Sequence, residues 1–286
     1  VTTVDAILIL GMHRSGTSAL ASAAVALGAI PPRELYPASA QNSAGYWESP
    51  RIVRINQSLL AGTGHDWFDC MTFDSRLFTP SARAQIRGHI DTLLPLEFAS
   101  ARPMLIKDPR LSLMLELWHP SLPGSAVLLS LRHPDEVVAS LQRRDRCERA
   151  VGLALWLHYT LEGERQSRDW PRAMVSYDRL LLDWRAAMLR AAAQAGLTWP
   201  RSLDSLPDDT APPAQPGLRH HQAEPLGDVA GPEPLCNWAA ETWRILRECE
   251  ASGANADLLR SLDEVRAAFE WWRKTQAPRF SRVAAN

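Results

Sequence analysis

Short apolar runs separated by amphipathic stretches organise this chain. Residues 4–10 are mostly apolar and partly β-branched, which predicts a buried strand. A glycine-bearing loop follows. Residues 17–27 then place Leu20, Ala24 and Leu27 on one helical face. Residues 28–47 hold Pro31, Pro32, Pro37 and Gly45 and predict mostly loop. Ser49 before Pro50 is a capped helix start, with the helix running to about residue 60. Another helix is predicted over 81–99.

One pattern then recurs. A strand at 104–107 precedes a helix from Pro109, and a strand at 125–131 precedes a helix opening at Pro134. Residues 152–168 are helical in pattern, and a strand at 173–177 leads into a helix through about 195. Strands alternating with helices predict an α/β fold: a P-loop-type parallel sheet with helices on both faces. Residues 200–235 are proline-rich with little periodicity and predict a long loop, and helices are expected over 237–251 and 256–274. The predicted organisation is an α/β core over 1–199, the loop over 200–235, and C-terminal helices over 236–286 packed on the core as one domain overall.

Composition narrows the function classes. Hydrophobic residues make up 46% and charged residues 22%, the balance of a globular protein, and a formal net charge of −1 gives no reason to expect a nucleic-acid partner. No run approaches the roughly 18 apolar residues of a membrane span. The apolar start lacks a basic, signal-like segment, so a cytoplasmic setting is expected. Cys70, Cys147, Cys236 and Cys249 show no metal-ligand spacing, so no metal is expected. Lys107 and Lys274 are the only lysines in an arginine-rich chain, which draws attention to Lys107 in its apolar context.

The loop Gly11-Met12-His13-Arg14-Ser15-Gly16-Thr17-Ser18 lies between the first strand and the first helix. Its glycines allow a tight turn and a close approach to an anion. The first N–H groups of the helix carry partial positive charge, to which the hydroxyls of Ser15, Thr17 and Ser18 and the Arg14 guanidinium add donors. This is a phosphate cradle. A kinase or NTPase P-loop would carry lysine after the second glycine, where Thr17 stands. Its absence argues against a P-loop nucleotide kinase or NTPase, which stays an alternative reading beside a non-catalytic nucleotide-binding protein.

The segment Arg14-Ser15-Gly16-Thr17-Ser18 resembles the 5′-phosphosulfate-binding loop of sulfotransferases, Lys/Arg-Ser-Gly-Thr-Thr/Ser, position by position. Its arginine form is similar to that of tyrosylprotein sulfotransferases and of many bacterial sulfotransferase-family proteins. The family also carries an arginine at a strand end and a serine eight residues on, both holding a 3′-phosphate; Arg132 and Ser140 match that spacing. Lys107-Asp108-Pro109 resembles the lysine-aspartate-proline of tyrosylprotein sulfotransferases, which implies a catalytic Lys107. Tyr177, after the fourth strand, resembles an aromatic near the nucleotide. A weaker likeness joins Leu218-Arg219-His220-His221 to a basic loop that closes over it. The resemblance covers roughly residues 4–195. It implies an enzyme that transfers sulfonate from 3′-phosphoadenosine 5′-phosphosulfate (PAPS) to a hydroxyl of an acceptor such as a carbohydrate, a tyrosine or a small molecule.

Arg14, Lys107 and Arg132 each lie just past a predicted strand's carboxyl end, the edge where open α/β sheets bind ligands. For the proton acceptor, Glu48 is the leading candidate, by likeness to the carboxylate base of tyrosylprotein sulfotransferases. It stands in the segment over 42–48, a stretch similar to many bacterial family members. Glu34, His13 and His65 are the other candidates. Tyr46, Trp47, Trp67 and Trp156 are candidates for lining an acceptor pocket, or for the core.

Overall fold

Alternation along the strands divides the core in two. The computed structural model describes residues 4–38, 45–207 and 229–276. Its strands β1 (Ala6–Leu10), β2 (Met104–Lys107), β3 (Ser125–Leu131) and β4 (Arg172–Ser176) form one parallel sheet in the order β2-β1-β3-β4. Pairing runs Ile9 to Lys107, Leu10 to Leu129 and Leu131 to Ser176. Side chains of period two point to opposite faces. Ala6, Leu8, Leu10, Ile106, Val127 and Leu129 enter one cluster, and Ile7, Ile9, Leu105, Ala126 and Leu128 the other. Burial on both faces explains why these strands read as continuous apolar runs.

The second face is covered by α1 (Thr17–Ala26) and α8 (Trp184–Ala195), whose Leu20, Ala24, Ala187 and Met188 are buried there. The first face is covered by helices that include α4 (Leu111–Trp118), α5 (Pro134–Asp145), α6 (Arg149–Gln166) and α9 (Leu235–Ser252). The chain runs from β1 to β2 on one side and then crosses to β3 on the other. This puts a topological switch point between β1 and its neighbours, the place where open α/β sheets form a ligand crevice.

The remaining elements are α2 (Pro50–Ala61), α3 (Pro80–Phe98), α7 (Tyr177–Leu182) and α10 (Ala256–Gln276). Ser49 caps α2 through Arg51 N and Ile52 N, as its sequence predicts. The helix expected after β4 is in fact two. Asp183 interrupts it with φ −154° and accepts the Ala186 N–H, so it caps a new helix instead of continuing the old one. The helix expected from Pro109 begins at Leu111, because Asp108 accepts the Arg110 N–H and holds the first residues in a turn.

The C-terminal helices meet the sheet's carboxyl edge. On α9, Glu250 accepts the Ser176 N–H at 2.7 Å, and Arg247 pairs with Asp178 at 3.0 Å. Arg273 of α10 donates to the Met71 carbonyl. Residues 208–228, which include most of the proline-rich stretch and Leu218 to His221, lie outside the described residues, as do Asn42, Ser43 and Ala44. All four cysteines are buried and unpaired. No helix among the described residues is long and apolar enough to cross a membrane.

Candidate active site

Two neighbouring elements hold the loop after β1, and a bond within the loop closes its turn. The Gly11 N–H donates to Ser112 Oγ of α4 at 2.9 Å, Ser130 Oγ of β3 donates to the Ser15 carbonyl at 2.9 Å, and Ser15 Oγ closes the turn on the Met12 carbonyl at 2.6 Å. Gly16 is the N-cap of α1 with φ 93°, and no side chain caps that helix. Glycine brings no capping side chain to the first turn of α1, whose N–H groups point out of the helix start. A Cβ on Gly16 would lie 2.5 Å from the Tyr177 ring, so both the backbone and the space require glycine there. Arg14 itself has φ 71°. Thr17 is buried, and Ser18 Oγ donates to the Tyr46 carbonyl at 3.3 Å.

Arg132 follows β3 directly, and the geometry ties it to that loop. Its Nη1 donates to the Arg14 carbonyl at 3.1 Å, its Nε donates to Glu136 one turn along α5 at 2.8 Å, and its guanidinium lies 4.7 Å over the Tyr177 ring. Ser140 is reached from the other direction: Arg14 Nε donates to Ser140 Oγ at 2.9 Å. The arginine and serine expected to share one phosphate are thus bridged by Arg14. Two cations, one hydroxyl and one aromatic face converge at the mouth of the loop. Burial lowers the Arg14 pKa, and nearby Arg144 and Arg132 lower it further.

Lys107 ends β2, and its side chain is buried, with a relative exposure of 2%. It forms an ion pair with Glu48, which stands just before the Ser49 cap. Glu48 neither caps α2 nor pairs with Arg51, whose partner is Glu97 at 3.5 Å. The Glu48 carbonyl accepts the Tyr36 N–H at 2.9 Å, which fixes this stretch beside the sheet.

The other base candidates separate cleanly. Glu34 is exposed on the loop after α1. His65 has both ring nitrogens engaged, by Thr63 at 3.0 Å and Thr72 at 2.8 Å. His13 lies at the site: its ring is 4.6 Å from that of Trp67 and 5.7 Å from that of Tyr159, and its Nε2 is buried with no hydrogen-bond partner. Burial holds its pKa well below the usual histidine value, and the charges of Arg110, Arg144, Lys107 and Arg14 push it the same way. His13 is therefore neutral at pH 7.

Of the candidate pocket aromatics, Trp156 is core, with Nε1 donating to the Arg132 carbonyl at 3.1 Å. Trp67 is half-buried beside His13, and Trp47 packs on the second face of the sheet. Arg110 and Arg144 belong to the same constellation, although the pattern of the chain gave them no role. Arg110 stands three residues beyond Lys107, directly after the Lys107-Asp108-Pro109 motif, so its proximity was a readable signal. Arg144 arrives from the last turn of α5 and carried none.

The fold is similar to that of three solved sulfotransferases. The sulfotransferase domain of the Synechococcus PCC 7002 olefin synthase is 18% identical with a TM-score of 0.46, over 84% of this chain and 94% of that one. Sulfotransferase STF1 from Mycobacterium tuberculosis H37Rv is 15% identical with a TM-score of 0.42, over 69% of each chain. The sulfotransferase domain from the curacin biosynthetic pathway is 16% identical with a TM-score of 0.41, over 69% of this chain and 75% of that one. No family model and no curated protein matches the sequence.

Proposed function

We propose that this chain is a sulfotransferase that takes PAPS as donor and delivers sulfonate to an acceptor hydroxyl. The observation that carries this reading is the coupling of two anion-binding positions through one residue. Arg14 sits in the loop over the helix N-terminus, donates to Ser140, and is itself gripped at its carbonyl by Arg132. A nucleotide with an anionic 5′ group and a separate 3′-phosphate matches two such positions. A triphosphate calls for a lysine where Thr17 stands.

The residues fit the donor. Gly16 turns at φ 93° against the Tyr177 ring with no room for a Cβ, and it opens α1, whose N-terminal end carries the partial positive charge that attracts an anion. In this reading Ser15, Gly16, Thr17 and Ser18 hold the 5′ end, Arg132 and Ser140 the 3′-phosphate, and Tyr177 the nucleotide side. The donor supplies the sulfonate and a 5′-phosphate leaving group. Lys107, Arg14 and the loop N–H groups stabilise charge that grows on the leaving oxygen. Glu48 takes the acceptor's hydroxyl proton, and its ion pair with Lys107 fixes both groups beside the reacting centre. Alignment of acceptor and donor in one buried crevice makes the transfer effectively intramolecular.

Calorimetry tests this directly. Adenosine 3′,5′-bisphosphate is expected to bind more tightly than adenosine 5′-monophosphate, and turnover with labelled PAPS is expected against a panel of hydroxyl acceptors. Tight binding of ATP–Mg²⁺ with no binding of the bisphosphate would overturn the reading in favour of a P-loop kinase or NTPase.

A further inference from the structure

Arg110 is the buried cation that the donor does not explain. It is 7% exposed, and its Nη1 donates to Asp108 Oδ1 at 2.7 Å. Asp108 is fully buried and anchored in turn: Asn56 Nδ2 donates to its other oxygen at 2.9 Å, and Trp118 Nε1 donates to Asn56 Oδ1 at 3.0 Å. Through this chain the guanidinium is oriented before any ligand arrives. Its Nε nevertheless has no hydrogen-bond partner, and neither does Nε2 of His13. Ile9 pairs with Lys107 and the Gly11 N–H donates to Ser112 Oγ, which sets the loop bearing His13 beside the turn bearing Arg110. An unpaired guanidinium N–H and an unpaired imidazole nitrogen thus share one buried region, where leaving either unsatisfied is costly.

The position along the sheet sets Arg110 itself apart from the nucleotide side. In the order β2-β1-β3-β4, the nucleotide side is set by Arg132 and Tyr177 after β3 and β4. Arg110 follows β2, at the opposite edge, next to the Lys107–Glu48 pair. Arg144 faces the same region with its guanidinium 5.1 Å over the Trp67 ring, and Asp145 takes only its Nε, at 2.7 Å. Tyr159 is spoken for, since its hydroxyl donates to the Trp67 carbonyl at 2.7 Å.

We propose that Arg110, supported by Arg144 beside the Trp67 ring, forms an acceptor subsite that grips an anionic group, so that the acceptor is a hydroxyl compound also carrying a carboxylate, phosphate or sulfate. This rests on the sulfotransferase reading, and names the acceptor class for that site. A planar guanidinium held on one edge by a carboxylate presents its other edge to a second anion, which a lysine could not do with fixed geometry.

The test uses the full chain saturated with adenosine 3′,5′-bisphosphate. The probes are 4-hydroxyphenylacetate and its neutral amide, titrated by tryptophan fluorescence and by ¹⁵N-histidine NMR of His13. The acid is expected to bind about tenfold or more tightly than the amide, a difference of about 1.4 kcal/mol. Arg110→Gln is expected to remove that preference while bisphosphate affinity stays within about twofold, a margin small beside the tenfold preference. Arg144→Gln, on the partly exposed end of α5, is expected to reduce the preference without threatening the fold. Equal binding of the two probes, or no binding of the acid at millimolar concentration, would overturn the subsite. So would a preference that survives both substitutions. Loss of bisphosphate affinity in Arg110→Gln would assign that residue to the donor instead. Failure of the wild type to bind the bisphosphate at all would defeat the sulfotransferase reading itself, a result the first calorimetric step separates from the rest.

Discussion

Lys107 and Glu48, 59 residues apart in sequence, meet as a buried ion pair at the carboxyl end of β2. The two groups compensate each other in a place where an isolated charge is expensive. The pair therefore predicts linked effects. Glu48→Gln is expected to lower kcat by about 10² to 10⁴, the range of a lost general base, with bisphosphate affinity retained. Lys107→Ala is expected to cost about 10² to 10³ through lost charge stabilisation. The double variant is expected to be little worse than the poorer single one, because the residues act as a unit. Stopped-flow turnover with labelled PAPS checks all three. Wild-type kcat in Glu48→Gln would remove it as the base and leave His13 as the candidate at the site.

Arg132 and Ser140 are expected to discriminate nucleotides by their 3′ end. Wild-type protein is predicted to prefer adenosine 3′,5′-bisphosphate over the 5′-monophosphate, and Arg132→Met to lose about 2 kcal/mol or more of that preference, on the scale of a charge-assisted hydrogen bond. Arg132→Lys is not a conservative control. It cannot hold the Arg14 carbonyl, Glu136 and the Tyr177 face at once, so it is expected to fall nearer to methionine than to wild type. Calorimetry with the two nucleotides decides. An unchanged ratio in Arg132→Met would place the 3′-phosphate elsewhere.

Much of this arrangement was legible in the chain because the signals were local. The four strands are short apolar runs buried on two faces, and their boundaries fall within two residues of the pattern. The Ser49-Pro50 start and the Pro134 start are likewise local chemistry. What the chain could not display was which side chain answers which. Arg132 and Ser140 were readable as a pair by their spacing, but not that Arg14, left-handed in backbone, donates to Ser140 while Arg132 holds its carbonyl. The Asp183 break was missed because an aspartate in a helical pattern reads equally as a surface residue. Arg144 was missed because Trp67, whose ring it covers, is far from it in sequence and packing alone brings them together.

Gly16 is predicted to be the least replaceable residue of the loop. Gly16→Ala places a Cβ 2.5 Å from the Tyr177 ring at φ 93°, so steric and backbone penalties add. The backbone term alone is about 1–2 kcal/mol. Tyr177→Ala in the same chain removes the clash and leaves the backbone term, so it is expected to recover part of the stability. Bisphosphate binding is expected to be lost in the single variant and weak in the double. Urea unfolding with parallel calorimetry measures both. A Gly16→Ala protein as stable as wild type and still binding the nucleotide would show that the loop relaxes at no cost.

Acid sensitivity should come from two histidines held neutral. His158, between Tyr159 and Phe269 and with Nε2 unpartnered, has its pKa pushed down to about 3 by burial, with the Arg273 charge adding to it. His13 is shifted the same way. In the unfolded chain both titrate near 6.5, so below that pH the unfolded state takes up protons that the folded state refuses. Stability is therefore fully present above about 6.5 and falls as pH drops towards 3, by up to about 1.4 kcal/mol per pH unit for each histidine. Carboxylates with lowered pKa, such as those of Asp74, Glu162 and Asp263, add their loss only at lower pH, as it falls through the carboxylate range. The interval from pH 6.5 to 5 thus isolates the histidines. Urea unfolding at pH 7, 6 and 5 is expected to show a slope that His158→Gln reduces by about half. A slope unchanged by that substitution would mean that His158 accepts a proton in the folded protein, and that its burial is breached by water.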